Sequence, residues 1–189
     1  VKTIHILSAC SGVKVDADES GTTWFQTFPP PGRYPVGGTI KGAPKEAEYL
    51  IDEKAVRAIM ESFMAAAKRD NFSGLLVDCE HFSLDPEKPS DAMAWAKDIR
   101  LDPDGSLWTR WEFTSKGREL WEGKVLVNRS PAFYSEKVDE NTYRPIELIS
   151  IAMTNTPHFH ELSTLAAARA AEVTNQEKET RKMNKIITE

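Results

Sequence analysis

The sequence predicts an α+β fold built on a mostly antiparallel sheet, closed or partly closed into a barrel and flanked by helices. Three observations carry this expectation. Short apolar runs of strand character recur from residues 2–9 to residues 145–153. The turn sequence Asp102-Pro103-Asp104-Gly105 joins two of these runs as a hairpin. Helical periodicity is scattered between the strands and confined to brief segments.

Taken in order, residues 2–9 (KTIHILSA) alternate well enough for a strand and lead into a polar turn region through Gly21. Trp24 to Phe28 reads as a second strand. It runs into Pro29-Pro30-Pro31-Gly32, then Pro35, Gly37 and Gly38. Proline removes amide donors and fixes φ, so this stretch is no helix and is expected to be a loop. Asp52 is a good N-cap for a helix over 53–69, where Val56, Ile59, Met60, Phe63, Met64 and Ala67 form one apolar face. Leu75 to His81 reads as a buried strand that turns polar at its end. The hairpin strands are expected at 92–101 and 106–113. Thr114 or Ser115 caps a short helix ending at Gly123, and two strands follow near 125–134 and 145–153, with a turn around Asp139-Glu140-Asn141. From Leu162 a helix is expected that dissolves into alanines and charged residues. The last 25 or so residues carry too little apolar surface to pack alone. The organisation expected is therefore one domain over 1–160 and a helical or disordered linker over 161–189.

Composition narrows the function. The chain has 189 residues, 40% of them hydrophobic, with five Trp and eight Phe, enough to bury a core. Its formal net charge of -5 suits neither a nucleic-acid backbone nor an anionic membrane. No apolar run approaches the roughly 20 residues of a membrane span. The short stretch Ile4 to Ala9, interrupted by His5, is too brief for a signal-peptide core. Cys10 and Cys79 have no metal-type or CxxC spacing, which fits a reducing cytosol. No cofactor is expected. A metal site from Glu80, His81, His158 and His160 lacks the spacing that presents ligands on one face.

Two residues stand out chemically. His81 ends an apolar strand, where a rigid backbone can hold an imidazole toward a cleft. Ser130 lies in Asn128-Arg129-Ser130-Pro131-Ala132-Phe133, where Pro131 forces extended geometry and removes a ladder hydrogen bond. A serine becomes a nucleophile only with a base in hydrogen-bond reach, and that base needs an orienting partner. Asp78, Glu80, Glu147, Asn155 and His158 are all chemically able to be that partner. If the strand persists to residue 81, Asp78 and Glu80 point away from His81 and reach it only if the strand bends. Glu147, on the strand after Ser130, could approach from a neighbouring strand, and the residues alone leave the choice open.

Five ordered motifs then carry a resemblance. They are Val77-Asp78-Cys79-Glu80-His81; Ala94-Trp95-Ala96 through Asp104-Gly105-Ser106-Leu107-Trp108; Trp111-Glu112-Phe113-Thr114; Arg129 to Phe133; and Ala152-Met153-Thr154-Asn155-Thr156-Pro157. Over residues 2–160 the chain resembles the Mu-like prophage protease I family of capsid-maturation serine proteases. Cys79 stands where the family more often has an aromatic, and Ala94 where a glycine is expected. The resemblance implies a fold similar to phage prohead proteases and herpesvirus assemblins. It also implies that His81 is the base and Ser130 the nucleophile, 49 positions apart in the chain. Glu147 is favoured as third group, ahead of Asn155 and Asp78. The implied function is a serine endopeptidase that trims scaffold, major capsid protein and itself inside a procapsid in the bacterial cytoplasm, with self-association as one route to activation. The implied alternative is a catalytically inactive assembly module on the same fold. Met183 resembles an internal start of a scaffold protein.

Overall fold

The computed structural model describes residues 23–37, 40 and 43–156, together with the backbone of 3–6. Among the described residues strands dominate, and they form one nine-stranded sheet. They are β1 (Thr3–Ile6), β2 (Thr23–Phe28), β3 (Gly32–Pro35), β4 (Glu48–Ile51), β5 (Leu75–Cys79), β6 (Ala94–Leu101), β7 (Leu107–Phe113), β8 (Asn128–Lys137) and β9 (Thr142–Thr154). The main path runs β1-β8-β9-β5-β6-β7-β2, with β3 and β4 attached beside β9. Most ladders are antiparallel; β4 and β5 run parallel to β9. The sheet curls into a half-barrel, and among the described residues no backbone ladder joins β2 to β1 or β8.

Among the described residues, two α-helices complete the α+β architecture. Helix α1 (Glu53–Ala67) starts at Asp52, whose carboxylate accepts a hydrogen bond from the Ala55 amide. The same carboxylate takes a two-nitrogen grip from Arg144 on β9, fixing the helix start to the sheet. Arg144 and the capping amide hold the Asp52 carboxyl below its usual range against the opposing effect of burial. Helix α1 buries Ala55, Val56, Ile59 and Phe63, whereas Met64 is 47% exposed and Ala67 also faces solvent. The apolar stripe is therefore narrower than the sequence suggests. Helix α2 (Ser115–Glu122) starts at Thr114, whose hydroxyl accepts from the Gly117 amide. No helix among the described residues is long and apolar enough to cross a membrane.

The Pro/Gly stretch expected to be a loop contains β3. It pairs only with β4, and proline is tolerated on such a strand because one side needs no ladder donor. Strand β4 carries no clear alternation in sequence and was not expected. Strand β8 starts later and ends later than the expected 125–134, β9 extends beyond 145–153 at both ends, and the two meet at a turn around Val138–Asn141. The helix expected from Leu162 and the boundary at 160 lie outside the described residues.

The core fills the inner face of the curl. Phe133 of β8 packs edge-on against Tyr49 of β4 at 5.3 Å and at a tilt against Phe28 of β2 at 5.6 Å. Trp111 lies 4.4 Å from Phe25, linking β7 to β2. Period-two alternation assigns Val77, Ile151, Met153 and Phe133 to this face. Paired residues share a face, so Asp78, Ala152 and Ser130, aligned across β5, β9 and β8, belong to the opposite one.

Candidate active site

Strand β5 ends at Cys79, two residues earlier than the sequence suggests. Its ladder to β9 continues for one more hydrogen bond, from the Glu80 amide to the Met153 carbonyl. Glu80 and His81 then both adopt left-handed backbone, at φ 52° and φ 58°. Such conformations cost non-glycine residues roughly 1–3 kcal/mol each and persist only where surroundings hold them. Four hydrogen bonds do so here. The Asp78 carboxylate accepts from the Ser83 amide at 2.8 Å. The His81 carbonyl accepts from the Leu84 amide at 3.0 Å, closing the 3-10 turn Phe82–Leu84. The Glu80 carboxylate accepts from the Thr154 hydroxyl at 2.5 Å and the Asn155 amide at 2.9 Å.

The bend turns the chain back over the sheet. His81 Nε2 comes to 2.6 Å from Ser130 Oγ, the two residues that the sequence singles out 49 positions apart. Parallel β5 and antiparallel β8 both flank β9, so the end of β5 and the start of β8 lie at the same end of the sheet, beside the end of β9. Burial lowers the His81 pKa to about 4, outweighing the pull of the nearby Glu80 carboxylate in the other direction. The imidazole is therefore neutral at pH 7, the form able to accept a proton. Its Nδ1 is buried and has no hydrogen-bond partner among the described residues. Ser130 is itself 0% exposed.

The third group is where geometry departs from expectation. Glu147 pairs with Tyr134, four residues along β8 from Ser130 or about 13 Å at ordinary strand rise, so the structure does not bring it to His81. Asn155 spends its side-chain amide on Val125 and Val127. Asp78 is wholly buried, its pKa raised by that burial despite the hydrogen bonding from Ser83. It steers the turn that carries His81 through the Ser83 amide. Glu80 acts likewise through Thr154 and Asn155. The acids flanking the histidine thus position its backbone. Sequence reasoning missed Thr154, although it lies within one of the motifs singled out. His158 and His160 lie outside the described residues, and no group of three or more metal-ligating side chains occurs among the described ones.

Arg129, beside Ser130, is wholly buried on the inner face. Its Nε donates to the Gln26 carbonyl, where a bulge interrupts the β2–β7 ladder. That contact spans the gap between the two sides of the curled sheet.

A serine hydroxyl abutting a neutral imidazole in a desolvated setting is the arrangement by which a base can activate a hydroxyl as a nucleophile. Neither the comparison with curated proteins nor that with solved structures finds a match. A family model does match, over residues 34–166, and it spans β4 through β9 with both helices. By that match the chain belongs to the family of the Mu-like prophage I protein, N-terminal domain.

Proposed function

We propose that this chain is a serine endopeptidase of phage head maturation, with Ser130 as nucleophile and His81 as general base. The observation that carries the reading is the 2.6 Å contact between His81 Nε2 and Ser130 Oγ. Nε2 takes the hydroxyl proton as Oγ attacks a peptide carbonyl. The C–N bond then breaks and the leaving amine receives that proton, which leaves an acyl ester on Ser130. Water, deprotonated by the same imidazole, hydrolyses the ester and restores the hydroxyl. Pro131 has no amide hydrogen, so the oxyanion donor cannot be the amide of the residue after the nucleophile. Substrates are the phage scaffold and major capsid protein and the chain itself, cut inside a procapsid, where concentration would favour self-association. The barrel likeness to prohead proteases and assemblins belongs to the same reading.

One observation favours a second reading, a non-catalytic assembly module: the complete burial of Ser130. In this state a peptide carbonyl has no path to Oγ, so proteolysis requires the cover over the hydroxyl to shift. Co-expression with the phage's own scaffold and major capsid protein, read by intact mass, separates the two. The protease reading expects truncated products with the wild type and none with Ser130→Ala or His81→Ala. Uncut proteins throughout, with the chain bound to assembled heads, would favour the module.

A further inference from the structure

Neighbouring strands lie about 4.8 Å apart, so β5 and β8 stand roughly 10 Å apart with β9 between them. His81 follows β5, yet its imidazole touches Ser130 on β8. The bend at Glu80 and His81 and the ring together therefore span the width of β9. Ala152 is the β9 residue aligned with both Asp78 and Ser130, on the face they share. It is 0% exposed. Alanine is a poor choice for a central strand, where β-branched residues pack better. Its neighbours along the strand, Ile151 and Met153, are large and face the core instead. Thr154, the next residue on the Ala152 face, is committed to Glu80 and so borders the same space.

We infer that Ala152 is a positioning residue, keeping open the space above β9 through which the His81 imidazole reaches Ser130. A side chain longer than a methyl would occupy that space and turn the ring outward, leaving the β9 ladder intact. The inference rests on the proposed roles of Ser130 and His81 for its catalytic meaning, but its geometric content stands apart from activity.

The test compares wild type, Ala152→Val and the conservative Ala152→Gly. Histidine-selective NMR follows the His81 titration, and p-nitrophenyl acetate, with the Ser130→Ala background subtracted, reports acylation. In Ala152→Val the displaced ring is expected to titrate near the ordinary value of about 6.5, and acylation is expected to fall about 100-fold, the scale of a misplacement near 1 Å. Ala152→Gly is expected to keep the low titration of the wild type, about 4. Should far-UV circular dichroism show Ala152→Val unfolded, Ala152→Cys, larger by one sulfur, carries the titration arm of the test, since its own thiol reacts with the ester. An unchanged His81 titration in the enlarged variants overturns the inference whatever the activity. If the wild type forms no acyl adduct, the hydrolytic reading falls, while the titration still decides the role of Ala152.

Discussion

A histidine held neutral at the end of a strand has consequences for stability as well as for chemistry. The His81 pKa of about 4 in the folded chain lies below its unfolded value near 6.5. Between these pH values the unfolded chain binds a proton that the folded chain does not, so stability falls as pH falls through this window. The full contribution is about 3 kcal/mol, present above pH 6.5 and lost by about pH 4. Urea unfolding at a series of pH values should show this slope in the wild type and a flatter one in His81→Asn. An identical slope in both would mean that the imidazole is not desolvated. The raised pKa of Asp78 acts in the opposite sense, with stability regained as that buried carboxyl takes up a proton. His81 and Ser130 were legible as a pair through the ordered motifs in which they sit, more than through their settings at a polar strand end and before a proline. The sequence could not show how His81 is oriented, since that depends on two left-handed residues that no glycine announces.

At the scale of elements, local chemistry was the better guide. Asp52 and Thr114 cap their helices as side-chain oxygens with nearby amides should. Gly105, at φ 84°, closes the β6–β7 turn in the left-handed conformation that glycine supplies without steric cost. The strands β3 and β4 were illegible because their order comes from pairing with each other and with β9, not from alternation within four residues. Helix α2 shows how tightly one element can depend on one position. The Met93 carbonyl, which accepts from the Thr114 amide, would lie 1.8 Å from a Cβ placed on Gly117. Gly117→Ala should therefore destabilise the chain despite the better helix propensity of alanine. The expected cost is about 1–3 kcal/mol, or more if the helix must lift. Thermal melts would show it, and a rise in Tm would refute the close docking of α2.

At the scale of the whole molecule, the site exists because a curled sheet brings distant segments to one end. Residues 75–84 deliver the His81 imidazole, 128–133 the Ser130 hydroxyl, and 150–155 the strand between them. The core beneath, with Phe133 between Tyr49 and Phe28 and Arg129 bound to the Gln26 carbonyl, holds β8 against β2 and β4. The α+β class was legible from the density of short strands, and the family from five ordered motifs. The parallel placement of β5 beside β9 was not, because a crossover between distant strands leaves no local signature. Glu147 was illegible for a different reason: adjacency in strand order says nothing of register, and the β8–β9 register pairs it with Tyr134, four residues from Ser130.

Treatment with a fluorophosphonate, which forms a covalent adduct only with an activated serine, followed by intact mass and peptide mapping, tests the central claim most directly. The wild type should gain one phosphonyl group, at Ser130. His81→Ala should label at least ~100-fold more slowly, the usual share of a general base. No adduct at Ser130, or one formed equally fast without His81, would contradict the pairing on which this account stands.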